Sequence, residues 1–337
     1  MVKKKTEERR VKAMLINADG GLNWSEVDNP IVKDEDVLVK IEYTAVNRAD
    51  LMQREGKYPP PPGCPEWPGL EISGEIVSLG AIAKEKSDWK VGDKVCALLG
   101  GGGYAEYVNV RYDMLMPVPE NCSMIEAAAM PEAFATAYLN LFIEGGLKKG
   151  DVFLMQAGAS GLASVVIPMA KAFGAYVITT IIDESKRDIV AKTGADLIVN
   201  TNEKSVEEVV KEFDKKGTPV NLVIDCLGGE NMGKCLPYMG YMSKWIMIAT
   251  LAGDFTQIDM RMLYVKNVRI VGSTLRSKPE SRKAEILKSL VDNVWSKVSS
   301  GEIRPAIFAV LPIEKTEEAH DLLYNNVSAG KVVLKVR

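Results

Sequence analysis

A chain of 337 residues, 47% apolar and 26% charged, is long enough for two domains with a crevice between them. No apolar run reaches the roughly 20 residues that a membrane-spanning helix requires, and a net charge of −3 offers no general attraction for polyphosphate. Membrane insertion and nucleic-acid binding are therefore not expected, and a small-molecule enzyme is.

The basic stretch Met1–Arg10 contains Glu7 and Glu8 and lacks the apolar segment of a secretory signal. It is expected to be a solvated extension, and the protein to be cytoplasmic. From Val11 to about Ala129, short apolar alternations separated by Gly and Pro predict strands and turns. Val37–Tyr43, Glu71–Val77 and Lys94–Leu99 are the clearest of these. The tract Tyr58–Gly63, with four prolines in succession, must be a stiff loop, because proline offers no amide donor. The run Gly100–Gly103, followed by the strand-like Tyr104–Val108, predicts a flexible hairpin connection.

Beyond Met130 the rhythm changes. Glu132–Glu144 has helical spacing, and Val152–Gln156 is a short strand of buried type. Strands are then predicted at Tyr176–Ile182, Leu197–Asn200, Asn221–Cys226, Trp245–Thr250 and Val268–Ser273, with helical segments between most of them. That alternation demands a parallel sheet covered on both faces, a doubly wound α/β domain of Rossmann type. Ile307–Arg337 returns to strand, helix and strand and could complete the first domain. The expected division is 1–129 with 305–337 as a β-rich barrel domain and 130–304 as the nucleotide-binding domain.

Cys64, Cys96, Cys122, Cys226 and Cys235 are widely spaced and odd in number, which argues against a disulfide framework. The single histidine, His320, lies in the amphipathic segment Glu314–Asn325 and is expected on a helix surface. A Ser-His-Asp triad would have to use it.

The strand from Val152 enters Gly158-Ala159-Ser160-Gly161-Leu162-Ala163 and then the apolar helical run Val165–Phe173. This is the βαβ setting of a dinucleotide fingerprint, in which a first Gly makes the turn, a second admits the pyrophosphate and a third packs helix on strand. Gly158, Ser160 and Ala163 hold those places, so a strict pattern of three glycines is not met. The helix N-terminus still presents amides to an anion. Pro168 lies inside that helix and is expected to bend it.

Several further segments carry a resemblance: Ala45–Asp50, Pro68–Glu71 with Ser73-Gly74-Glu75, Gly92–Val95, Gly101–Tyr107, Ala157–Gly161 and Gly272–Arg276. In that order they resemble the medium-chain dehydrogenase/reductase superfamily, and within it the quinone oxidoreductases, zeta-crystallin-like and p53-inducible quinone reductases included. The resemblance implies a GroES-like barrel domain beside the Rossmann domain and a homodimer. Zinc-dependent members place a cysteine near Asn47 and a histidine at Leu70, and carry four clustered cysteines that this chain lacks; the resemblance thus implies zinc independence. An acceptor that is already electron-poor, a quinone or an α,β-unsaturated carbonyl, is then expected.

The resemblance places Asn47 and Tyr58 at the nicotinamide and substrate pocket, with water or the Tyr58 hydroxyl supplying the proton. It places Thr136, at the start of the linking helix, and the strand ends Cys226-Leu227-Gly228, Ala249-Thr250 and Ser273-Thr274-Leu275 along the crevice. Ala159, Gly161 and Leu162 complete the glycine turn, and Lys331 either reaches the cofactor or is a solvated lysine. The NAD-type aspartate position falls on Ile181, and Lys186 matches the lysine that binds a 2′-phosphate. NADPH is thus expected, with NADH possible, because Asp183 and Thr201 depart from the family pattern. An alkenal, enone or enoyl thioester reductase of the same fold stays open, as does a non-catalytic NADPH-binding protein of crystallin or RNA-binding type.

Overall fold

The computed structural model describes residues 10–337. The N-terminal extension, Arg10 apart, lies outside the described residues. Strands β1 (Arg10–Ile16) and β2 (Leu22–Asp28) form a two-stranded antiparallel ribbon. β3 (Asp36–Ala45) follows, then helix α1 (Arg48–Arg54), β4 (Glu71–Leu79), α2 (Ala81–Lys86), β5 (Lys94–Leu98), β6 (Tyr107–Arg111) and β7 (Leu115–Pro117). Alternate side chains of β3 are buried, as expected for a strand with one face on a core.

Helices α3 (Met124–Ala128) and α4 (Pro131–Tyr138) lead away from this sheet. Pro131 begins α4, where its missing N–H costs nothing. The helix predicted as far as Glu144 is α-helical only to Tyr138 and continues as a π-turn over Leu139–Ile143. Next come β8 (Val152–Met155), α5 (Ala163–Ala172), β9 (Tyr176–Ile181), α6 (Arg187–Ala191), β10 (Leu197–Asn200), α7 (Val206–Lys215), β11 (Leu222–Asp225), α8 (Asn231–Cys235), β12 (Lys244–Met247), α9 (Met260–Val265) and β13 (Arg269–Gly272). These six strands are wholly parallel in the order β10-β9-β8-β11-β12-β13. Strands β8 and β11 are buried at every position, the pattern of a sheet covered on both faces. The strand order reverses between β8 and β11, and the crevice beyond their carboxyl ends is where such sheets bind ligands.

The long helix α10 (Glu280–Ser299) returns the chain to the first sheet, joined there by β14 (Ile307–Pro312), α11 (Thr316–Tyr324) and β15 (Lys331–Lys335). The largely antiparallel seven-stranded sheet has the order β14-β15-β3-β4-β5-β7, with β6 paired to β3. One core joins the inner face of this sheet to α4, α5 and α10, and Phe134 meets Trp295 edge to face at 6.1 Å. A second core lies under the opposite face of the parallel sheet around fully buried Trp245.

Two expectations fail here. Gly100–Gly103 is not a hairpin connection, since β5 pairs with β4 and β7 while β6 pairs with β3. The strand predicted at Tyr104 begins at Tyr107, because Tyr104 is drawn wholly into the interior. Nor is His320 a surface residue. It is 2% exposed, and its Nε2 lies 3.3 Å from the Tyr104 hydroxyl, which in turn donates to Asp50 Oδ2 at 3.2 Å. Burial first, and the charge of Arg54 second, press its imidazole down to about 3.

Candidate functional site

The glycine turn stands at the reversal point of the parallel sheet. Ala157, not Gly158, takes the left-handed backbone conformation, with φ of 56°. It is held there by its N–H, which donates to Thr180 Oγ1 at 3.0 Å, and its carbonyl, which accepts from Ser160 N at 2.9 Å. Gly158 is needed for another reason: a Cβ there would stand 2.4 Å from Thr179 Oγ1 on β9. Its glycine allows close packing on the neighbouring strand rather than a turn conformation. Ser160 Oγ accepts from Ala163 N at 3.1 Å and caps α5. The helix runs on through Pro168, which has no N–H to offer the Ser164 carbonyl four residues back.

The donor set of this turn suits an anion. Among the described residues no group accepts from the N–H of Ala159, Gly161 or Leu162, whereas Gly158 N is occupied by the Thr180 carbonyl. Gln156, fully buried at the base of the turn, has neither amide atom paired. Unpaired backbone donors at the start of a helix are the usual seat of a phosphate.

A buried polar cluster approaches this turn from the other sheet. Asn47 caps the entry to α1, its N–H donating to Asp50 Oδ2 at 2.8 Å. Its Nδ2 donates to Glu71 Oε1 at 2.8 Å, and its Oδ1 accepts from Lys331 Nζ at 2.7 Å. Lys331 Nζ also meets Glu71 Oε1 at 2.6 Å, with side chains 3% and 0% exposed. The other Glu71 oxygen accepts from Glu132 N at 2.9 Å at the start of α4. Lys331 is therefore not solvated; its stem passes under the glycine turn, 3.1 Å from where a Cβ on Gly161 would stand. The cluster and the turn share this one side chain.

Two carboxyl groups here are displaced upward. Asp50 is pushed to about 6 by burial, which outweighs the N–H donors of Asn47 and Gly69. Glu132 is pushed to about 7 by burial and then by the charge of Glu71. Thr136, the sixth of the eight residues of α4 and not at its start, donates to Glu132 Oε1 at 3.4 Å. Tyr58 is half-buried; the Arg276 guanidinium covers its ring at 4.9 Å and donates to its carbonyl at 3.1 Å. Burial raises the Tyr58 phenol, so it is protonated at neutral pH.

The remaining candidates divide into two groups. Lys186 follows β9 and donates to the carbonyl of Asn326, whose side chain also accepts from Arg48 at 3.0 Å. Asp183 beside it is held ionised by the Ser185 hydroxyl and N–H. Ile181 is 4% exposed and Thr201 N is bonded to its carbonyl at 2.8 Å. At the end of β11, Leu227 N and Gly228 N donate to Asp225, and the carbonyls of Cys226 and Leu227 accept from Leu251 and Ala252. Ala249 and Thr250 lie beyond the end of β12, and Thr274 Oγ1 is 2.5 Å from Ser277 Oγ. Leu275 is buried in the main core.

Sequence reasoning did not single out Glu71, Glu132, Arg48, Arg276 or Lys283. Glu71 and Arg276 lie inside segments that carried the resemblance, and Arg48 adjoins Asn47, so position alone could have flagged them. Lys283 had a different signal. With Ile286, Leu287, Leu290 and Val294 it occupies the buried stripe of α10, where a lysine is out of place. Among the described residues no three His, Cys, Asp or Glu side chains are grouped so as to hold a metal ion.

Residues 33–120 match the alcohol dehydrogenase GroES-like domain family, and residues 161–292 the zinc-binding dehydrogenase family. The chain is 32% identical over 305 residues to a quinone oxidoreductase-like protein 2 homolog of Nematostella vectensis, covering 89% of this chain and 82% of that protein. It is 28% identical to the quinone oxidoreductase of Sus scrofa, with 92% of both covered. The quinone oxidoreductase of Thermus thermophilus, also solved in complex with NADPH, superposes with a TM-score of 0.80 at 26% identity, over 96% of this chain and 100% of that one. With its GroES-like and Rossmann domains, the chain belongs to the medium-chain dehydrogenase/reductase superfamily, among the quinone oxidoreductases and their relatives.

Proposed function

We propose that the protein is an NADPH:quinone oxidoreductase that works without zinc. The observation that carries this reading is the meeting of the unpaired amides of Ala159, Gly161 and Leu162 with the Lys331–Glu71–Asn47 cluster across one crevice. The amides would hold the pyrophosphate, and Lys186 the 2′-phosphate, for which charge-assisted bonds contribute about 1.5 to 3 kcal/mol. When bound, the nicotinamide supplies a hydride, and one further proton completes reduction of a quinone to its hydroquinone. Asn47, Thr136 and Lys331 would position the reacting ring, while Tyr58, protonated at neutral pH, or water would deliver the proton.

The case against zinc rests on side chains. Asn47 is engaged by Glu71 and Lys331, and Leu70 is 1% exposed in the core; neither is a zinc ligand. The acceptor must then bring its own polarisation, as quinones and enones do. A homodimer fits the free edge strand β13 with exposed Ile270, next to Met260 and Tyr264 of α9 at 67% and 68% exposure. Among the described residues no helix is long and apolar enough to cross a membrane, and we read the protein as cytoplasmic.

The deciding experiment follows NADPH and NADH oxidation by purified protein against ortho-quinones, para-quinones, enones and an enoyl thioester. Quinone turnover with a preference for NADPH is expected. Exclusive turnover of enones or thioesters would move the protein to the neighbouring reductase activity. NADPH-induced thermal stabilisation without turnover of any acceptor would make it a binding protein.

A further inference from the structure

Two cations are withdrawn from water between the loop that carries Tyr58 and Cys64 and the first turn of α10. Arg276 and Lys283 are each 5% exposed. Arg276 is satisfied by neutral groups: its Nε donates to the Gly100 carbonyl at 2.9 Å, Nη1 to the Tyr58 carbonyl at 3.1 Å and Nη2 to Gln53 Oε1 at 2.5 Å. No carboxylate compensates it. Lys283 has less: among the described residues its ammonium has neither a hydrogen-bond acceptor nor an ion-pair partner.

The titratable groups that face Lys283 are Cys64, Glu132, Glu280 and Arg276. The Cys64 thiol is pushed up by burial and is neutral. Glu280 is exposed at the start of α10 and lies 3.9 Å from Arg111. Glu132, pushed to about 7, carries only part of a charge at neutral pH. Two buried cations thus stand against a fraction of one anion. Burying an ammonium without a partner is among the costliest arrangements in a protein, and it persists where something else supplies the counter-charge.

We propose that the counter-charge comes with the acceptor: the substrate of this crevice carries a carboxylate that Lys283 binds, with Arg276 adding to the positive field, while its quinone or enone end reaches Tyr58. The pocket is shared, since Arg276 covers the Tyr58 ring and Glu132 senses both Lys283 and Tyr58. This inference rests on the proposed reductase activity and narrows its substrate to acid-bearing acceptors.

The test compares a benzoquinone bearing a propionate side chain with its methyl ester, and 4-oxopent-2-enoate with its methyl ester. In each pair the reducible group is the same. Wild-type kcat/KM should favour the acid by tenfold or more, chiefly through KM. In Lys283→Met, which keeps the volume of the stem, the acid-to-ester ratio should fall to about one. Lys283→Arg should keep most of it. Titration calorimetry of acid and ester onto the NADP⁺-saturated full chain should show the same ratio in binding. A wild-type ratio near one, a ratio that survives Lys283→Met, or a variant whose defect is weaker NADPH binding would overturn the inference. If no acceptor oxidises NADPH, the reductase reading fails and calorimetry still decides the acid site. If all are reduced without preference for the acid, only the acid site fails.

Discussion

The two halves of the crevice are built by different means. On the parallel-sheet side the anion seat is backbone: three free amides at the end of one buried strand, all within the six residues from Ala157 to Leu162. On the other side the site is made of side chains that meet from far apart, Asn47 with Glu71 and both with Lys331, separated by 24, 284 and 260 positions. A local backbone device tolerates exchange of its side chains, which is why Ser160 and Ala163 can stand where the strict fingerprint has glycine. A long-range polar cluster tolerates little, because each member left alone is a buried unpaired group.

The sharpest break should come from acid. His320 titrates far below its unfolded value of 6.5, so its contribution to stability is complete above that pH and is lost as pH falls toward about 3. The loss should approach the order of 5 kcal/mol across that window. Urea unfolding of wild type and His320→Gln between pH 7 and 4 measures it. An equal slope with pH in both proteins would remove the imidazole as the cause.

Next in size is Lys331→Met, which strands the Glu71 carboxylate in the interior and should cost about 3 to 5 kcal/mol in urea unfolding. The double variant Glu71→Gln/Lys331→Met should regain most of that, since the amide oxygen can still accept from Asn47 and from Glu132 N. A single-variant loss below about 1 kcal/mol, the range of exposed pairs, would show the cluster to be dispensable. Smallest, and on the backbone side, Lys186→Ala should raise the Michaelis constant for NADPH roughly tenfold to a hundredfold and leave that for NADH within about threefold. An unchanged NADPH constant would sink the assignment of Lys186 to the 2′-phosphate.

The same division governs what can be read in the sequence. The parallel sheet is legible because four-residue strands buried at every position, such as Val152–Met155, are contiguous apolar runs. Even there the fingerprint gives the wrong reason for Gly158. Its neighbour Thr179 is brought close by sheet pairing, while the left-handed turn belongs to Ala157. His320 is misplaced by sequence reasoning because its partner Tyr104 lies 216 positions away. A polar residue on an amphipathic helix is read as exposed until the distant hydroxyl that satisfies it is known. Lys331 is ambiguous in sequence for the same reason, and Gly100–Gly103 because hairpin and crossover look alike before strand partners are fixed.

The pairing of β15 with β3 bears on the order in which the molecule assembles. Strands β8 to β13 form their whole sheet from one continuous stretch of chain, so that sheet can take shape while later residues are still being added. The other sheet cannot finish. Val333 must find Ala45, and Lys331 must find Glu71 260 positions earlier, so the charge of Glu71 stays uncompensated until nearly the last segment arrives. Until then the early strands expose β3 as an open edge, the side from which a truncated or stalled chain would be expected to aggregate.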